Sequence, residues 1–155
     1  MRHDEIPDEL RPLVYDFFFW FSRFEYALKE ARMLKKLEPG EKAEADWIRF
    51  VNEHKDGYQI DASGEALIAA NPQRQIVTET GLDFRDVGFN PGASELERIT
   101  ILAQTVRNNL FHGGKHGSAY WNDANRMRLL LQMTISVLDS LAEQMDLNSD
   151  YRSEY

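Results

Sequence analysis

The sequence contains no cysteine, which excludes disulfide bonds and thiolate metal sites and leaves any catalysis to other groups. A chain without disulfides suits a reducing cytoplasm. No apolar run approaches the length that spans a bilayer, and the acidic start, MRHDEIPDELRP, lacks the apolar stretch of a signal peptide. These absences predict a soluble, cytoplasmic protein without a membrane partner.

The composition is that of a folded globular protein, with 43% hydrophobic and 12% aromatic residues in a chain of 155. This length suffices for one domain with its own core and favours one domain over two. We therefore treat residues 1–155 as a single domain.

The formal net charge is −8, and a uniformly acidic surface would repel nucleic acid. The charge is unevenly distributed, however. Residues 107–128 contain four cations and one anion, which gives +3 with histidine counted as neutral. Residues 139–155 contain five acids and one arginine, so the tail from about residue 147 is expected to be solvated and frayed.

Apolar residues at steps of three and four predict a long first helix over about residues 8–36. A second apolar stripe follows another side of the same helix and comprises Tyr15, Phe19, Tyr26 and Met33. Two interpretations remain open. The second face is buried between helices of one bundle, or it meets another copy of the protein.

After a Pro-Gly breaker, the pattern predicts a second helix over about residues 41–53, with Ala45 and Ile48 buried and Trp47 or Val51 beside them. Residues 58–93 are interrupted by glycine and proline and predict an irregular insertion, with at most two turns of helix and no convincing strand. Such a segment is uncommon in a compact domain, so it is either a lid or partner surface, or irregular packing.

Ser94 and Glu97 have capping-box spacing and predict the start of a helix with a narrow apolar seam. Paired glycines follow this helix, and a last helix is predicted over about residues 119–146. The sequence therefore predicts an all-α fold, an antiparallel bundle of four main helices plus a short extra helix.

The segment VRNNLFHGGKHG, residues 106–117, is unusually polar for a helix end. A helix stop explains the paired glycines, and it explains His112 and Lys115 near the negative end of the helix dipole. It does not explain Asn108 and Asn109, because successive asparagine amides compete for backbone partners and weaken a helix. Either the segment is only a helix stop, or function retains these residues.

Arg107 and His112 together suit phosphodiester chemistry without a metal. Histidine moves protons near neutral pH, and arginine offers a planar fork to a phosphate. Their positions on a helix differ by about 140°, so they converge only if the glycine end unwinds or if a second chain contributes. Asn108 lies four residues before His112 on the same face.

Other chemical motifs fit this segment less well. A P-loop would need glycine in place of Asn109 and serine or threonine in place of His116. His112 and His116 are four residues apart, but glycines separate them and no third zinc ligand is adjacent. A catalytic triad cannot be inferred from the scattered serines either. Because neither the P-loop nor the zinc pattern is complete, we expect neither a metal nor a cofactor.

The residues RNNLFH, Arg107 to His112, resemble the R-x4-6-H motif of the HEPN domain family in its R-N-x3-H form, and the following GGK adds to the likeness. HEPN domains are all-α bundles whose motif lies on a late helix followed by one more long helix, which is the order predicted here. The resemblance covers the motif and the order of elements and does not extend to alignable residues elsewhere.

Resemblance to the catalytic HEPN members implies a metal-independent endoribonuclease, often in bacterial toxin-antitoxin or other defence systems, in which two chains form a composite cleft. By position, Arg107 would hold or polarise the scissile phosphate, and His112 would act as acid or base while the RNA 2′-hydroxyl attacks. Asn108 would orient the histidine or the phosphate. The implied partners are RNA, a second copy of the chain, and an antitoxin or defence partner.

Lys115, His116 and Asn109 are candidate RNA contacts without a fixed family role. Many HEPN toxins that pair with a nucleotidyltransferase antitoxin have a tyrosine two positions beyond the motif histidine. Here that position is Gly114, so regulation through that tyrosine is not expected.

Two alternatives to the ribonuclease remain open. The acidic net charge favours a non-catalytic HEPN-like module for dimerisation or nucleotide binding. A helical protein whose exposed apolar face binds another partner is the less specific option. On the first helix, Arg23 and Glu25 either face the cleft or form a solvated edge.

Overall fold

The computed structural model describes residues 7–112 and 123–152, with only the backbone of His112. Within this part of the chain, a 3-10 turn at Asp8–Leu10 precedes six α-helices and one β-hairpin. The elements are α1 (Arg11–Glu30), α2 (Trp47–His54), α3 (Ala62–Ala70), β1 (Arg74–Thr78), β2 (Gly81–Arg85), α4 (Glu95–His112), α5 (Ala124–Gln144) and α6 (Asn148–Arg152).

The described residues are mostly helical, and their fully buried side chains come mainly from α1, α4 and α5. α1 packs against α5 and α6, whereas α4 packs against α2, α3 and α5. β1 and β2 pair antiparallel, and β1 contacts α4. The expectation of an all-α bundle of four main helices is therefore correct only in its coarser form, a mostly helical fold. No helix among the described residues is both long and apolar enough to span a membrane.

α4 and α5 match the sequence predictions most closely. The Ser94 hydroxyl accepts a hydrogen bond from the Glu97 amide at 3.1 Å, which is one half of the predicted capping box. Residues 119–122 of the predicted last helix lie outside the described residues. Every position predicted to be buried in the two helices is buried: Leu96, Ile99, Ala103, Val106, Leu110, Met127, Leu130, Leu131, Thr134, Val137, Leu138 and Leu141.

α1 ends at Glu30, six residues before the predicted end, because a Schellman motif stops it. Arg32 adopts a left-handed conformation with φ 59°. Its amide donates to the Lys29 carbonyl at 3.0 Å, and the Met33 amide donates to the Leu28 carbonyl at 2.8 Å. Met33 and Leu28 are both buried, as is usual for the apolar contact of this motif. An arginine at this position does not indicate the end of a helix as a glycine would, so the apolar pattern predicted an end six residues too late.

α2 begins at Trp47, six residues later than predicted, because Asp46 caps it. The Asp46 carboxylate accepts hydrogen bonds from the amides of Ile48 and Arg49 at 3.1 and 3.0 Å. The later start changes which face is buried. Ile48, predicted to be buried, is 77% exposed, whereas Phe50 is fully buried.

The buried face of α2 can be tested by a matched pair of substitutions. Phe50→Ala should lower the free energy of unfolding by about 3–5 kcal/mol, since it removes a fully buried ring. Ile48→Ala should change it by no more than about 0.5 kcal/mol. Urea denaturation followed by circular dichroism measures both, and a larger loss for Ile48→Ala would show that the helix is rotated from the orientation described.

Residues 58–93 contain the short helix that was expected there, α3, and also a β-hairpin, which corrects the prediction of an irregular insertion without strands. The Asp61 carboxylate caps α3 by accepting from the Gly64 amide at 2.8 Å. The hairpin was missed because its strands do not alternate between buried and exposed apolar residues. Val77 and Leu82, which pair across the strands, are both exposed.

The tail is docked on α1 as far as Arg152, whereas a frayed tail was expected. Tyr151 is fully buried, and its hydroxyl donates to Asp139 at 2.8 Å. Burial, followed by the hydrogen bond to Asp139, raises the pKa of Tyr151, so the phenol stays protonated. Arg23 donates to the backbone carbonyls of Asp150 and Tyr151, which gives this residue a role in holding the tail.

Candidate functional site

The candidate site lies on the last two turns of α4, which remain helical through His112. Of the two ways in which Arg107 and His112 were expected to converge, unwinding does not occur between them in the described backbone. Their positions therefore lie on different sides of one helix, about 140° apart. The other expected way, a contribution from a second chain, stays a prediction.

Arg107 is half-buried, with its guanidinium lying against aromatic rings. Its Cζ is 5.2 Å from the ring centroid of Phe111 and 5.9 Å from that of Phe21, which is within cation–π range. Its Nη1 donates to the Asn108 side-chain oxygen at 3.0 Å. No carboxylate among the described residues forms an ion pair with it. The guanidinium is thus held in place without a counter-ion among the described residues, which leaves its charge for a bound anion.

The two asparagines of the motif have different environments. Asn108 is exposed, and its side-chain oxygen orients Arg107. Asn109 is only 8% exposed, and its amide nitrogen donates to the Gln73 carbonyl at 2.7 Å, just before β1. This bond ties the hairpin to α4, so Asn109 has a structural role that accounts for a poor helix former at this position.

The remaining predicted site residues fall at or beyond the end of the described helix. The backbone of His112 closes α4, while its side chain lies outside the described part of the structure. Lys115 and His116 lie outside the described residues, as do the paired glycines Gly113 and Gly114. Their predicted roles remain predictions.

A cleft of about 540 Å³, which we call the lysine cleft, opens beside Arg107. It lies between α4, the C-terminal half of α1 and the loop that leads to α2. Its cationic lining comprises Lys29, Lys35, Lys42 and Arg107. Gln104 lines it from α4, one turn before the motif.

Acidic groups neutralise some of these cations but not all of them. Glu44 accepts from Lys35 at 3.2 Å and from Lys42 at 2.6 Å. The hydrogen bond and the charge of Glu44 raise the pKa of Lys42, and the hydrogen bonds from Lys42 and Lys35 lower the pKa of Glu44. Lys29 makes no ion pair with a described carboxylate. Glu25, one turn before it, lines the same cleft and accepts from the Trp47 indole at 3.2 Å.

A second cleft, of about 480 Å³, lies on the other side of Gln104, and we call it the amide cleft. It lies between α4 and β1. It is lined by Arg74, Gln75, Ile101, Gln104, Thr105, Asn108 and Asn109. The motif therefore stands between two clefts, with Arg107 facing one and Asn108 the other.

An exposed group of aromatic rings, which we call the aromatic patch, adjoins the motif. It consists of Tyr15, Phe18 and Phe19 of α1, which are 66%, 50% and 41% exposed, and Phe111 of α4, which is 45% exposed. The ring centroids of Phe18 and Phe111 are 5.6 Å apart, so the patch reaches across both helices. Within the second apolar stripe predicted for α1, Met33 is buried whereas Tyr15 and Phe19 are not. Burial among the described residues therefore accounts for Met33 but not for Tyr15 and Phe19.

No three acidic or histidine side chains among the described residues come together in a group suited to a metal ion. Comparisons of the chain with protein-family models, with curated proteins and with solved structures found no match. Function has to be argued from the site itself.

Sequence reasoning located Arg107 and Asn108 but missed Lys29, Gln104 and Arg74, which line the clefts around them. Gln104 lies on α4 but outside the motif, and nothing in the spacing of Lys29 and Arg74 pointed to α4. Arg74 was missed together with its hairpin, and Lys29 is a single lysine at the end of an amphipathic helix.

Proposed function

We propose that this protein is a metal-independent, HEPN-type endoribonuclease that cleaves RNA in a composite cleft formed by two chains. The observation that carries the proposal is the setting of Arg107. It is a half-buried arginine that rests on aromatic rings, lacks a described carboxylate partner and lies five residues before the last residue of the helix, His112. An ion-paired surface arginine would not support the same proposal, because its charge would already be neutralised.

The proposed reaction needs only the groups of the motif and the substrate. The RNA 2′-hydroxyl loses its proton to a base and attacks the adjacent phosphorus, and the bond from phosphorus to the 5′-oxygen breaks. His112 supplies a proton transfer, either from the nucleophile or to the leaving oxygen. Arg107 stabilises the negative charge that develops on the phosphate oxygens, and Asn108 fixes the guanidinium. The products end in a 2′,3′-cyclic phosphate and a 5′-hydroxyl.

The two-chain cleft is supported by the aromatic patch and by the helical geometry of the motif. A two-fold axis places the same surface of both copies in contact, so a self-complementary apolar patch is the surface such an axis requires. Phe111 belongs to the patch and directly precedes His112. An interface here would therefore bring the two copies of the motif next to each other.

The function is tested by incubating the purified protein with mixed-sequence single-stranded RNA in excess EDTA. We expect cleavage, with 3′ ends that carry a cyclic phosphate and 5′ ends that a kinase labels without prior dephosphorylation. A protein that leaves RNA intact under all conditions, or that cleaves it only with an added divalent ion, would contradict the proposal.

A second candidate function is a non-catalytic HEPN-like module for dimerisation or nucleotide binding, which the net charge of −8 favours. The same assay separates the two, because such a module dimerises without cutting RNA. The proposed setting, a bacterial toxin-antitoxin or defence system, rests on the resemblance of the motif alone.

A further inference from the structure

Gln104 lines both the lysine cleft and the amide cleft, so the two clefts meet over α4. Arg107 faces the first and Asn108 faces the second. A chain molecule that lies in both clefts must cross α4 beside the motif. Such a molecule must be long enough to cover the width of a helix with its side chains, which is about 10–12 Å.

On the lysine-cleft side, Lys29 is the lysine that forms no ion pair with a described residue. Lys35 and Lys42 share the carboxylate of Glu44 at 3.2 and 2.6 Å. Lys29 forms no ion pair with a described carboxylate, and the nearest acid along the helix, Glu25, accepts from the Trp47 indole. The four cations that line this cleft exceed its three carboxylates, those of Glu25, Glu44 and Asp46, by one, and an excess of positive charge favours an anionic ligand.

On the amide-cleft side, Arg74 lies directly opposite Arg85 in the hairpin register. Like charges at such a position destabilise a strand pair. Neither arginine forms an ion pair with a described residue.

The nearby carboxylates of the hairpin form no ion pair with either arginine and accept hydrogen bonds from neutral groups. Asp83 accepts from the Phe84 amide at 2.7 Å, and Asp86 accepts from the Gln73 side chain at 2.9 Å. An anion beside Arg74 would relieve the repulsion between the two arginines, so this cleft favours the same kind of ligand as the other.

We propose that a single RNA strand crosses α4 over Gln104, with one backbone phosphate bound by Lys29 in the lysine cleft and another bound by Arg74 in the amide cleft. Arg107 holds the scissile phosphate between them. This inference rests on the proposed function, and it adds two phosphate-binding residues outside the motif. It also identifies the substrate as a strand long enough to cover the width of α4.

The test is the salt dependence of binding to a 2′-O-methyl RNA of mixed sequence, which cannot be cleaved because it has no free 2′-hydroxyl. Fluorescence anisotropy gives Kd over a range of salt concentrations. Each phosphate contact contributes about 0.7 to the slope of log K against log salt for a single strand. Lys29→Gln and Arg74→Gln should each lower that slope by about 0.7 and weaken binding about fivefold at 0.1 M salt.

Matched controls carry the same change of charge at cations that already have partners. Lys36→Gln removes the partner of Glu41 in the loop after α1, and Arg49→Gln removes the partner of Glu53 on α2. Both should leave the slope near that of the unmodified protein. Thermal denaturation establishes that all four variants are folded.

The outcomes separate this inference from the proposed function. Unmodified protein that cleaves RNA while Lys29→Gln or Arg74→Gln keeps the slope of the controls would overturn the crossing path and leave the ribonuclease standing. Protein that binds the 2′-O-methyl strand with both slopes lowered, yet cuts no RNA, would support the path and overturn the ribonuclease. Protein that does not bind the strand at all would overturn both.

Discussion

Replacement of His112 by alanine is expected to slow RNA cleavage by about 10²–10⁴-fold, because a positioned acid or base contributes about that much to the rate. Arg107→Ala is expected to slow it by about 10²–10³-fold, as the loss of one group that stabilises transition-state charge does elsewhere. The measurement is the initial rate on a fluorescent single-stranded RNA in EDTA.

The controls for this prediction separate chemistry from folding. Arg107→Lys keeps the positive charge but loses the planar fork, so it should recover little activity. Lys36→Ala removes a cation that is paired with Glu41 at 2.8 Å in the loop after α1, and it should cleave at the normal rate. A His112→Ala protein that is folded and cleaves within about threefold of the unmodified rate would exclude histidine as the acid or base.

Replacement of Phe18 by glutamate is expected to convert the proposed dimer to a monomer and to abolish most of the cleavage with it. Phe18 is half-exposed and its ring contacts that of Phe111, so it links the α1 part of the aromatic patch to α4. A buried, unpaired carboxylate at a two-fold interface occurs in both copies and faces an apolar surface, which strongly disfavours association. Sedimentation velocity at micromolar concentration, combined with the cleavage assay, measures both effects.

Leu37→Glu is the matched control, since Leu37 is 44% exposed in the loop between α1 and α2 and lies outside the aromatic patch. It should leave both sedimentation and cleavage unchanged. If the unmodified protein is already a monomer, or if Phe18→Glu remains a dimer, the patch is not the interface.

The sequence predicted α4 and α5 well because both bury one continuous apolar face, and such a face has a period that can be read directly. The sequence-based prediction was wrong where a helix end is fixed by a polar or backbone interaction instead of an apolar one. α1 is terminated by Arg32 in a left-handed conformation, which an arginine in the sequence does not predict. α2 starts at the Asp46 cap, which moved Phe50 into the core in place of Ile48.

The predictions for the tail and the hairpin were wrong for a different reason. Both segments are held in place by residues that are far away in the sequence. Tyr151 is buried against α1 although acidic residues surround it in the sequence, and local composition carries no trace of that contact. The hairpin is anchored through the Asn109 amide, which donates to the Gln73 carbonyl. A pairing between residues so far apart in the chain has no local signal.

The candidate site shows the same division. Arg107 and Asn108 were found because they form part of a short motif on a predictable helix. Lys29 and Arg74 were not, because they come from other elements and share only their position beside Gln104. A motif is a local feature of the sequence, whereas a cleft depends on the fold.

The most direct test of the composite cleft is to mix Arg107→Ala protein with His112→Ala protein, each inactive alone, after unfolding and refolding them together. A heterodimer of these two variants has one site in which an intact arginine from one chain meets an intact histidine from the other. Random pairing then predicts recovery to about a quarter of the unmodified cleavage rate. If the mixture is as inactive as its components while heterodimers are present, each site is built within one chain, and the two-chain cleft is excluded.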